Sequence, residues 1–440
     1  MPEPAATQIS KQIYGGILHS DNYGHYVGLE FLACVAACLR EGHENIPPIE
    51  DEVINLKHIS HDCARFIAWG DKEERVAEKS DYYRAFSNGI SVQKQDAVKL
   101  LLQSIGVPVP GRRQQSFGHN SHFLPYEKDL IHWDYKINRR SYNVSIENVY
   151  YRGAGTLIFN ILRAHPDDNL RHQVGNKLYA LLEKDAGGLS TLAKTLHKYD
   201  RAIEGKPQAK IDINDRERIF GPCAENLCHG LENILSHDKL TSSTKIDALL
   251  RFLPFALIRI QHVRSYSDNS NKAQSAIVDC GYKPGPIRRE SKKSLENNMR
   301  DIDAALIAKG QEIFPSKNKN ELKKMTVQFK SFYTRSAAAI GYLNSHSGVR
   351  HYVLKNDLLE ALVLSEIPSD DERTFKDFLD DLFKKWGLVI GKEAASEMNL
   401  LETLDSAIFD ENASMLVTEM KHLGFLQEYS DMTRMVKYGY

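Results

Sequence analysis

The sequence predicts a mainly α-helical protein with a minor α+β part, divided into several domains. Most of the chain falls into stretches whose apolar residues recur with helical spacing, while strand-like alternation is confined to short pieces. The chain has 440 residues, of which 42% are hydrophobic, which is enough for two or three buried cores. We predict a mixed N-terminal domain over 1–155, a helical middle domain over 156–344 and a C-terminal domain over 345–440.

The overall charge is balanced. The 57 Lys and Arg residues nearly equal the 58 Asp and Glu residues, so the chain as a whole should not attract nucleic acid or acidic lipid strongly. No apolar run approaches the roughly 20 residues that a membrane-spanning helix needs, and the first residues lack the pattern of a secretory signal. We therefore expect a cytoplasmic protein with no membrane partner.

The N-terminal segment begins with a helical pattern. Tyr26 to Arg40 is apolar around more than half of its circumference, as in a buried core helix. Lys94 to Ile105 forms a second helical pattern, which Gly106 ends. Between Gly111 and Gly155 the pattern changes to short β-like pieces among aromatic and basic residues, which predicts mixed structure.

Helical patterns dominate the middle segment. They cover Leu157 to Ala164, Leu170 to Lys184, Arg218 to Ser236 and Thr244 to Tyr266, followed by an isolated strand over Ser275 to Cys280. The Thr244 and Asp247 spacing predicts a capping box at the start of the fourth helix. Two amphipathic helices follow, whose apolar faces carry Leu295, Met299, Ile302 and Leu306, and then Leu322, Met325, Phe329, Phe332 and Ile340.

The C-terminal segment combines helices with a terminal hairpin. Helices are predicted from Asn356 or Asp357, from Thr374 with its capping partner Asp377, near Lys392 to Asn399, and from Ser406 to Leu423. The residues after Gly424 alternate in strand fashion around a turn at 430–431. Helices followed directly by a hairpin predict a winged-helix-like domain.

Charge is segregated along the chain. Residues 259–335 contain 16 Lys and Arg and eight acids, whereas residues 350–412 contain seven Lys and Arg and 15 acids. The middle segment is therefore expected to face an anionic partner such as DNA. The nucleic-acid-binding residues that we predict are Arg288, Arg289, Lys292, Lys293, Arg300, Lys324 and Arg335.

The first amphipathic helix can begin at two places. If it begins near Pro286, then Arg288, Arg289, Lys292 and Lys293 occupy its positive dipole end, which favours a bound phosphate. If it begins near Ser294, the same four residues form a solvated lead-in. On the second helix, Lys324, Gln328, Ser331 and Arg335 form a polar stripe that fits a nucleic-acid backbone or simply faces water.

The helix before the terminal hairpin is acidic. It carries Asp410, Glu411 and Glu419 against Lys421 alone, so its insertion into a DNA groove would bring like charges together. The C-terminal domain therefore fits a protein partner better than DNA.

Enzyme motifs are weak. Residues around Gly153 and Gly155 match neither phosphate-loop pattern, and no nucleophile elbow occurs, so we assign no catalytic residue, metal or cofactor. A rival hypothesis is a hydrolase that uses Asp279, or a metal held by Cys223, Cys228 and His237. A third hypothesis is a purely structural scaffold.

Three stretches near the C-terminus carry a resemblance of general character rather than of motif. They are RSAAAIGYLNSHSGVRHYVLKNDLLEALVL, TFKDFLDDLFKKWGLVIG and LGFLQEYSDMTRMVKYGY. They resemble the C-terminal winged-helix parts of poorly characterised accessory proteins in prokaryotic anti-phage defence loci. The resemblance covers about the last hundred residues and implies a subunit of a multi-protein, nucleic-acid-directed system. It carries no catalytic residue across.

Together these observations predict a non-catalytic nucleic-acid-binding or adaptor subunit. Its basic middle segment would bind DNA, and its acidic C-terminal domain would bind a partner ATPase, helicase or nuclease that supplies the chemistry.

Overall fold

The structure is a computed structural model. It describes residues 5–49, 57–60, 64, 67–68, 81–89, 91–106, 125–128, 135–137, 144–146, 152–183, 188–197, 201–204, 221–266, 275–281, 285–429 and 433–439. The mainly α-helical prediction is confirmed, since this part of the chain forms fifteen α-helices and only short strands. None of the described helices is long and apolar enough to cross a bilayer. Most of the stretch 111–151 and the turn at 430–431 lie outside the described residues.

The elements are numbered in chain order. The helices are α1 (Ala5–Tyr14), α2 (His25–Arg40), α3 (Asp81–Gly89), α4 (Val92–Ser104), α5 (Ala154–Arg163), α6 (Asp168–Leu182), α7 (Gly188–His197), α8 (Pro222–Ser236), α9 (Ser242–Arg264), α10 (Pro286–Ile313), α11 (Lys319–Ala339), α12 (Asn356–Glu366), α13 (Phe375–Trp386), α14 (Lys392–Glu397) and α15 (Ser406–His422). The strands are β1 (Lys57–Ser60), β2 (Tyr135–Ile137), β3 (Val144–Ile146), β4 (Arg201–Glu204), β5 (Ala276–Ile277), β6 (Arg373–Thr374), β7 (Leu388–Val389), β8 (Leu426–Glu428) and β9 (Arg434–Val436).

Helix α2 is buried nearly all round, as its apolar sequence predicts, and α5 crosses it closely. At the crossing point lies Gly155, where an added Cβ would be 2.4 Å from the carbonyl oxygen of Val27. Beside it, the buried carboxylate of Glu30 accepts hydrogen bonds from the backbone N–H groups of Gly153 (2.9 Å) and Gly155 (2.8 Å). A carboxylate thus satisfies N–H groups that the first turn of α5 leaves without helical partners.

Helix α9 runs through the core and is buried over most of its 23 residues. Its N-cap is Thr241, whose hydroxyl accepts a hydrogen bond from the Thr244 N–H. The predicted capping box of Thr244 and Asp247 is therefore wrong, because the helix begins one turn earlier than its apolar pattern indicates. Exposed Ser243 and half-exposed Thr244 fill that first turn and carry no apolar signal.

Helices α10 and α11 form an antiparallel pair. Asn318 starts α11 with a capping box to Glu321. Leu322 of α11 packs beside Gly310 near the end of α10, and Lys330 lies 3.5 Å from Asp303. The start of α10 is therefore level with the end of α11.

The C-terminal segment contains a three-stranded sheet in the order β6-β9-β8. The Thr374 hydroxyl accepts from the Asp377 N–H at the start of α13, and Gly387 ends this helix in the left-handed conformation at φ 66°. The strand predicted as isolated over 275–280 is shorter and not isolated, because β5 pairs in parallel with β7. This pairing was not predictable from local sequence, since the partners are more than a hundred residues apart.

One large apolar cluster contains buried residues from all three predicted segments, from Ile9 through Phe255 to Val436. A small separate cluster joins Ile287 at the start of α10 to Val389 of β7 and Phe409 of α15. The first turn of α10 is therefore anchored on the C-terminal segment. The boundaries at 155 and 344 stay predictions.

Candidate nucleic-acid interface

Helix α10 begins at Pro286, directly after Gly285. Proline favours the first helical position because its missing N–H needs no partner there, and the side chain of Ile287 is buried. The alternative start near Ser294 is wrong. Arg288 and Arg289 consequently lie in the first turn, at the positive end of the helix dipole, and Lys292 and Lys293 lie in the turn that follows.

Arg288 is held by the protein itself. Its Nε lies 2.8 Å from Oδ2 of Asp279, and its Nη2 donates to the Gly281 carbonyl oxygen at 3.3 Å. The same Asp279 oxygen lies 3.3 Å from Nε2 of His351. Burial acts to raise the pKa of Asp279, but the hydrogen bonds from His351, Arg288 and the Gly281 N–H outweigh it and lower that pKa. Arg288 therefore positions the helix start rather than reaching outward.

Arg289, Lys292 and Lys293 are exposed. Lys293 lies 2.6 Å from Glu290 and Lys292 lies 3.7 Å from Glu296, within the same helix. Exposed ion pairs of this kind contribute little and exchange readily for other partners. The three cations form one outward group, which we call the cationic turns.

Arg300 is exposed further along the same helix, where it donates to the side chain of Asn297. It lies seven residues after Lys293, which corresponds to about 10 Å along the axis. Arg300 thus extends the cationic turns in the direction of the helix.

Lys324 is exposed on α11 but far from the cationic turns. The contacts of Asp303 with Lys330 and of Gly310 with Leu322 fix the alignment of the two helices. With this alignment, Lys324 is separated from Arg289 by about 30 Å along the helix pair. The structure therefore does not bring these two residues together.

Arg335 lies against the connection between α1 and α2. Its Nη1 donates to the Ser20 carbonyl oxygen at 3.0 Å and lies 3.7 Å from the Asp21 carboxylate. The Arg335 guanidinium also lies over the ring of Tyr23. The side chain of Gln328 also accepts a hydrogen bond from Ser20. Two of the four residues of the predicted polar stripe are thus engaged by the N-terminal segment.

Sequence reasoning missed the loop over 344–351, whose base packs against the buried face of α10. Ser291 of α10 both accepts from the Tyr352 N–H (2.8 Å) and donates to the Tyr352 carbonyl oxygen (3.2 Å). This contact places Arg350, two residues earlier, close to the start of α10. The available signal was charge, because residues 344–356 contain Arg350 and Lys355 but no Asp or Glu.

The C-terminal segment presents a surface of opposite sign. A cleft of about 330 Å³ is lined by His237, Pro368, Asp370, Asp371, Glu372, Lys437 and Tyr438. The three acidic residues are exposed at its edge. Its net charge complements a basic rather than an acidic partner.

The rival catalytic residues occupy ordinary structural positions. Cys228 is buried in the apolar cluster, while His237 lies 3.0 Å from the Ile367 carbonyl oxygen. Cys223 is partly exposed on the first turn of α8. Among the residues that the structure describes, no group of three or more His, Cys, Asp or Glu side chains could hold a metal ion.

Comparisons with protein-family models, curated proteins and solved structures find no match to this chain.

Proposed function

We propose that this protein is a non-catalytic subunit that binds duplex DNA through the cationic turns of α10. One observation carries the proposal: Arg289, Lys292 and Lys293 are exposed on one face within about the first two turns of a helix that begins at Pro286. Arg289, in the first turn, is repelled by the helix dipole, and a phosphate group bound between it and the two lysines removes this repulsion. Arg300 supplies a further contact along the backbone.

The structural positions refine the set of predicted contacts. Arg288 keeps its ion pair with Asp279, and Arg335 keeps its contacts with residues 20–23. Lys324 lies too far away to share a short stretch of backbone with α10. The proposal therefore assigns phosphate contacts to Arg289, Lys292, Lys293 and Arg300.

The proposal is tested by the salt dependence of duplex binding. Replacing Arg289, Lys292 and Lys293 together by Ala removes three phosphate contacts, so the slope of log K against log salt concentration falls in magnitude by about 3. Fluorescence anisotropy with a labelled duplex, repeated at several salt concentrations, measures this slope. The matched control replaces exposed Arg84, Lys94 and Lys376 by Ala, which removes the same charge elsewhere.

An unchanged slope in the first variant removes the assignment to α10. Equal losses in both triple variants indicate that only overall charge matters. If the wild-type protein binds no duplex at low salt, the scaffold hypothesis replaces this proposal.

For the C-terminal segment we propose a winged-helix-like module that binds a protein partner, such as an ATPase, helicase or nuclease of a prokaryotic defence complex. The order α12, β6, α13, α14, α15 and the β8-β9 hairpin supports this proposal, as does the sheet order β6-β9-β8. The acidic cleft favours a basic partner segment. Replacing Asp371 and Glu372 by Lys is expected to abolish co-purification of that partner while leaving duplex binding intact.

A further inference from the structure

The connection between α14 and α15 carries a group of partly exposed apolar side chains. The chain passes from α14 through a single 3₁₀ turn over Leu400–Glu402 into α15. The partly exposed apolar residues along this path are Met398, Leu400, Leu401, Leu404 and Ile408. All five pack against the small apolar cluster that contains Val389 and Phe409. They therefore form one continuous surface, which we call the apolar patch.

The core beneath the apolar patch is small. It contains six buried residues, and the apolar side chains that pack around it while remaining partly exposed are equally many, counting Phe383 of α13. In the large apolar cluster, by contrast, the buried residues outnumber the partly exposed ones several-fold. A contiguous apolar surface of this kind marks a site of interaction, unlike a single exposed apolar residue.

Acidic residues border the apolar patch. Residues 393–420 contain seven Asp and Glu and no Lys or Arg. Glu397, Glu402 and Asp405 are each next in sequence to a patch residue, and Glu411 lies about one helical turn after Ile408 on α15. These four acids are exposed. The patch is thus apolar at its centre and negative at its edge.

The protein itself neutralises little of this charge. Of the acids over 393–411, a stretch that the structure describes in full, only Asp410 forms an ion pair with a described residue, which is Lys392 at 3.2 Å. The remaining carboxylates are available to a binding partner. Nucleic acid and anionic lipid have the wrong sign for this surface, whereas a basic protein segment has the complementary one.

We propose that the apolar patch binds a basic amphipathic helix of a partner protein. Such a helix has an apolar stripe bordered by Lys and Arg side chains, so the stripe covers the patch while the cations meet the acids of α14 and α15. This inference rests on the protein-binding role proposed for the C-terminal segment. It adds the chemical class of the partner and a contact surface that shares no residue with the acidic cleft.

The test uses the full-length protein and a labelled synthetic peptide of about 18 residues, which is about five helical turns, with Leu on one face and Lys on the others. Fluorescence anisotropy measures the affinity. Replacing Glu397, Glu402 and Glu411 together by Lys is expected to weaken binding of this peptide at least tenfold. The same variant should gain affinity for a matching peptide in which every Lys is replaced by Glu.

The matched control makes the same change of charge elsewhere. It replaces exposed Glu41, Glu44 and Asp96 by Lys and should bind the basic peptide as the wild type does. The cleft variant, with Asp371 and Glu372 replaced by Lys, should also keep its affinity for the peptide.

The apolar contribution is tested at Ile408. Ile408→Ser is expected to weaken peptide binding about tenfold, whereas Ile408→Leu retains it. Circular dichroism checks the fold of both variants. If the serine variant does not fold, the triple Lys variant still decides the question, because it alters only exposed side chains. Hydrogen exchange of the wild type should show slower exchange over 397–411 when the peptide is bound.

Equal peptide affinity in the wild type and the triple Lys variant overturns the inference, as does an equal loss in the matched control. If the cleft variant alone loses the peptide, the cleft is the binding surface, so the proposed function stands and this inference fails. Self-association of the wild type that Ile408→Ser abolishes in analytical ultracentrifugation overturns it in favour of a second copy of this chain. If the wild type binds no peptide at low salt, both protein-binding proposals fail.

Discussion

The Arg288 guanidinium lies 2.8 Å from the Asp279 carboxylate, so two residues that the sequence assigned to competing functions neutralise one another. Asp279 was the candidate acid of a hydrolytic site, and Arg288 was a candidate phosphate ligand. In the structure their ion pair fixes the start of α10 to the residues that follow β5. The pair leaves Arg289, Lys292 and Lys293 as the outward cations.

Replacing Asp279 by Ala is expected to lower the free energy of unfolding at pH 7 by about 2 to 4 kcal/mol. The carboxylate is 4% exposed, and its loss leaves Arg288 and the Gly281 N–H without their acceptor. Urea denaturation measures the effect. Replacement of exposed Glu411 on α15 by Ala serves as the control and should change little.

The pH dependence of the Asp279 effect follows from its lowered pKa. A carboxyl group whose pKa is lower in the folded state contributes stability above its ordinary pKa, and this contribution is lost as the pH falls through the folded value. The difference in unfolding free energy between the wild type and Asp279→Ala should therefore begin to narrow as the pH falls below about 4. If the difference in unfolding free energy between the two proteins stays constant below pH 4, the ion pair is contradicted.

Glu30 is expected to give the opposite pH dependence. Burial raises the pKa of Glu30 to about 7, although hydrogen bonds from Gly155, Thr156 and Gly153 oppose the change. A raised folded pKa means that stability is greatest below the ordinary value of 4.5 and declines as the pH rises to about 7.

The comparison with Glu30→Gln isolates this contribution. Relative to that variant, the wild type should lose about 3 kcal/mol of unfolding free energy between pH 4.5 and pH 7 and then remain level. Urea denaturation across this range provides the measurement. A difference that is independent of pH shows that Glu30 ionises as an ordinary surface carboxylate does.

Replacing Gly155 by Ala is expected to destabilise the protein by about 3 kcal/mol. The new Cβ would lie 2.4 Å from the Val27 carbonyl oxygen and 2.5 Å from the Phe31 nitrogen, and backbone atoms of α2 cannot move aside as side chains do. Thermal unfolding measures this loss of stability. The control is Gly221→Ala, where nothing lies within 4 Å and the change should cost less than about 1 kcal/mol. Similar melting temperatures for the two variants argue against the close crossing.

Asn412 of α15 connects the two strands beneath α10. Its side chain accepts from the Cys280 N–H (2.9 Å) and donates to the carbonyl oxygens of Val278 (2.9 Å) and Ile390 (3.0 Å). Asn412→Ala is expected to cost about 2 to 4 kcal/mol because it leaves buried backbone groups unpaired.

Because these strands support the start of α10, Asn412→Ala should also weaken duplex binding, whereas exposed Asn320→Ala should affect neither property. Anisotropy titration at a temperature where the variant remains folded separates the two effects. Full duplex affinity in a destabilised Asn412→Ala protein shows that the two regions are independent.

Much of the helical fold was predictable from apolar spacing and end signals. The patterns over 26–40, 157–164 and 406–423 correspond to α2, α5 and α15 within a few residues, because their buried faces recur with helical periodicity. The start of α10 could also have been predicted, since a proline after a glycine favours the first helical turn. The run of charges that follows Ile287 obscured it.

The composition of the candidate site was only partly predictable. The exposure of Arg289 follows from its place opposite the apolar face of α10, but the partners of Arg288 and Arg335 do not. Each lies against a segment that is distant in sequence or joined through a loop, and such tertiary contacts leave no local periodicity. The contact of the 344–351 loop with α10 depends on the hydrogen bonds between Ser291 and Tyr352, which no spacing rule indicates.

Helix α10 is 28 residues long and spans about 42 Å. Ile287 at its first turn is buried with Val389 and Phe409, whereas Gly310 near its far end lies beside Ile9 of α1. A partner that shifts the C-terminal segment therefore also moves helix α10 together with Arg289, Lys292 and Lys293. By thermodynamic linkage, the factor by which such a partner alters the dissociation constant of DNA is also the factor by which DNA alters that of the partner.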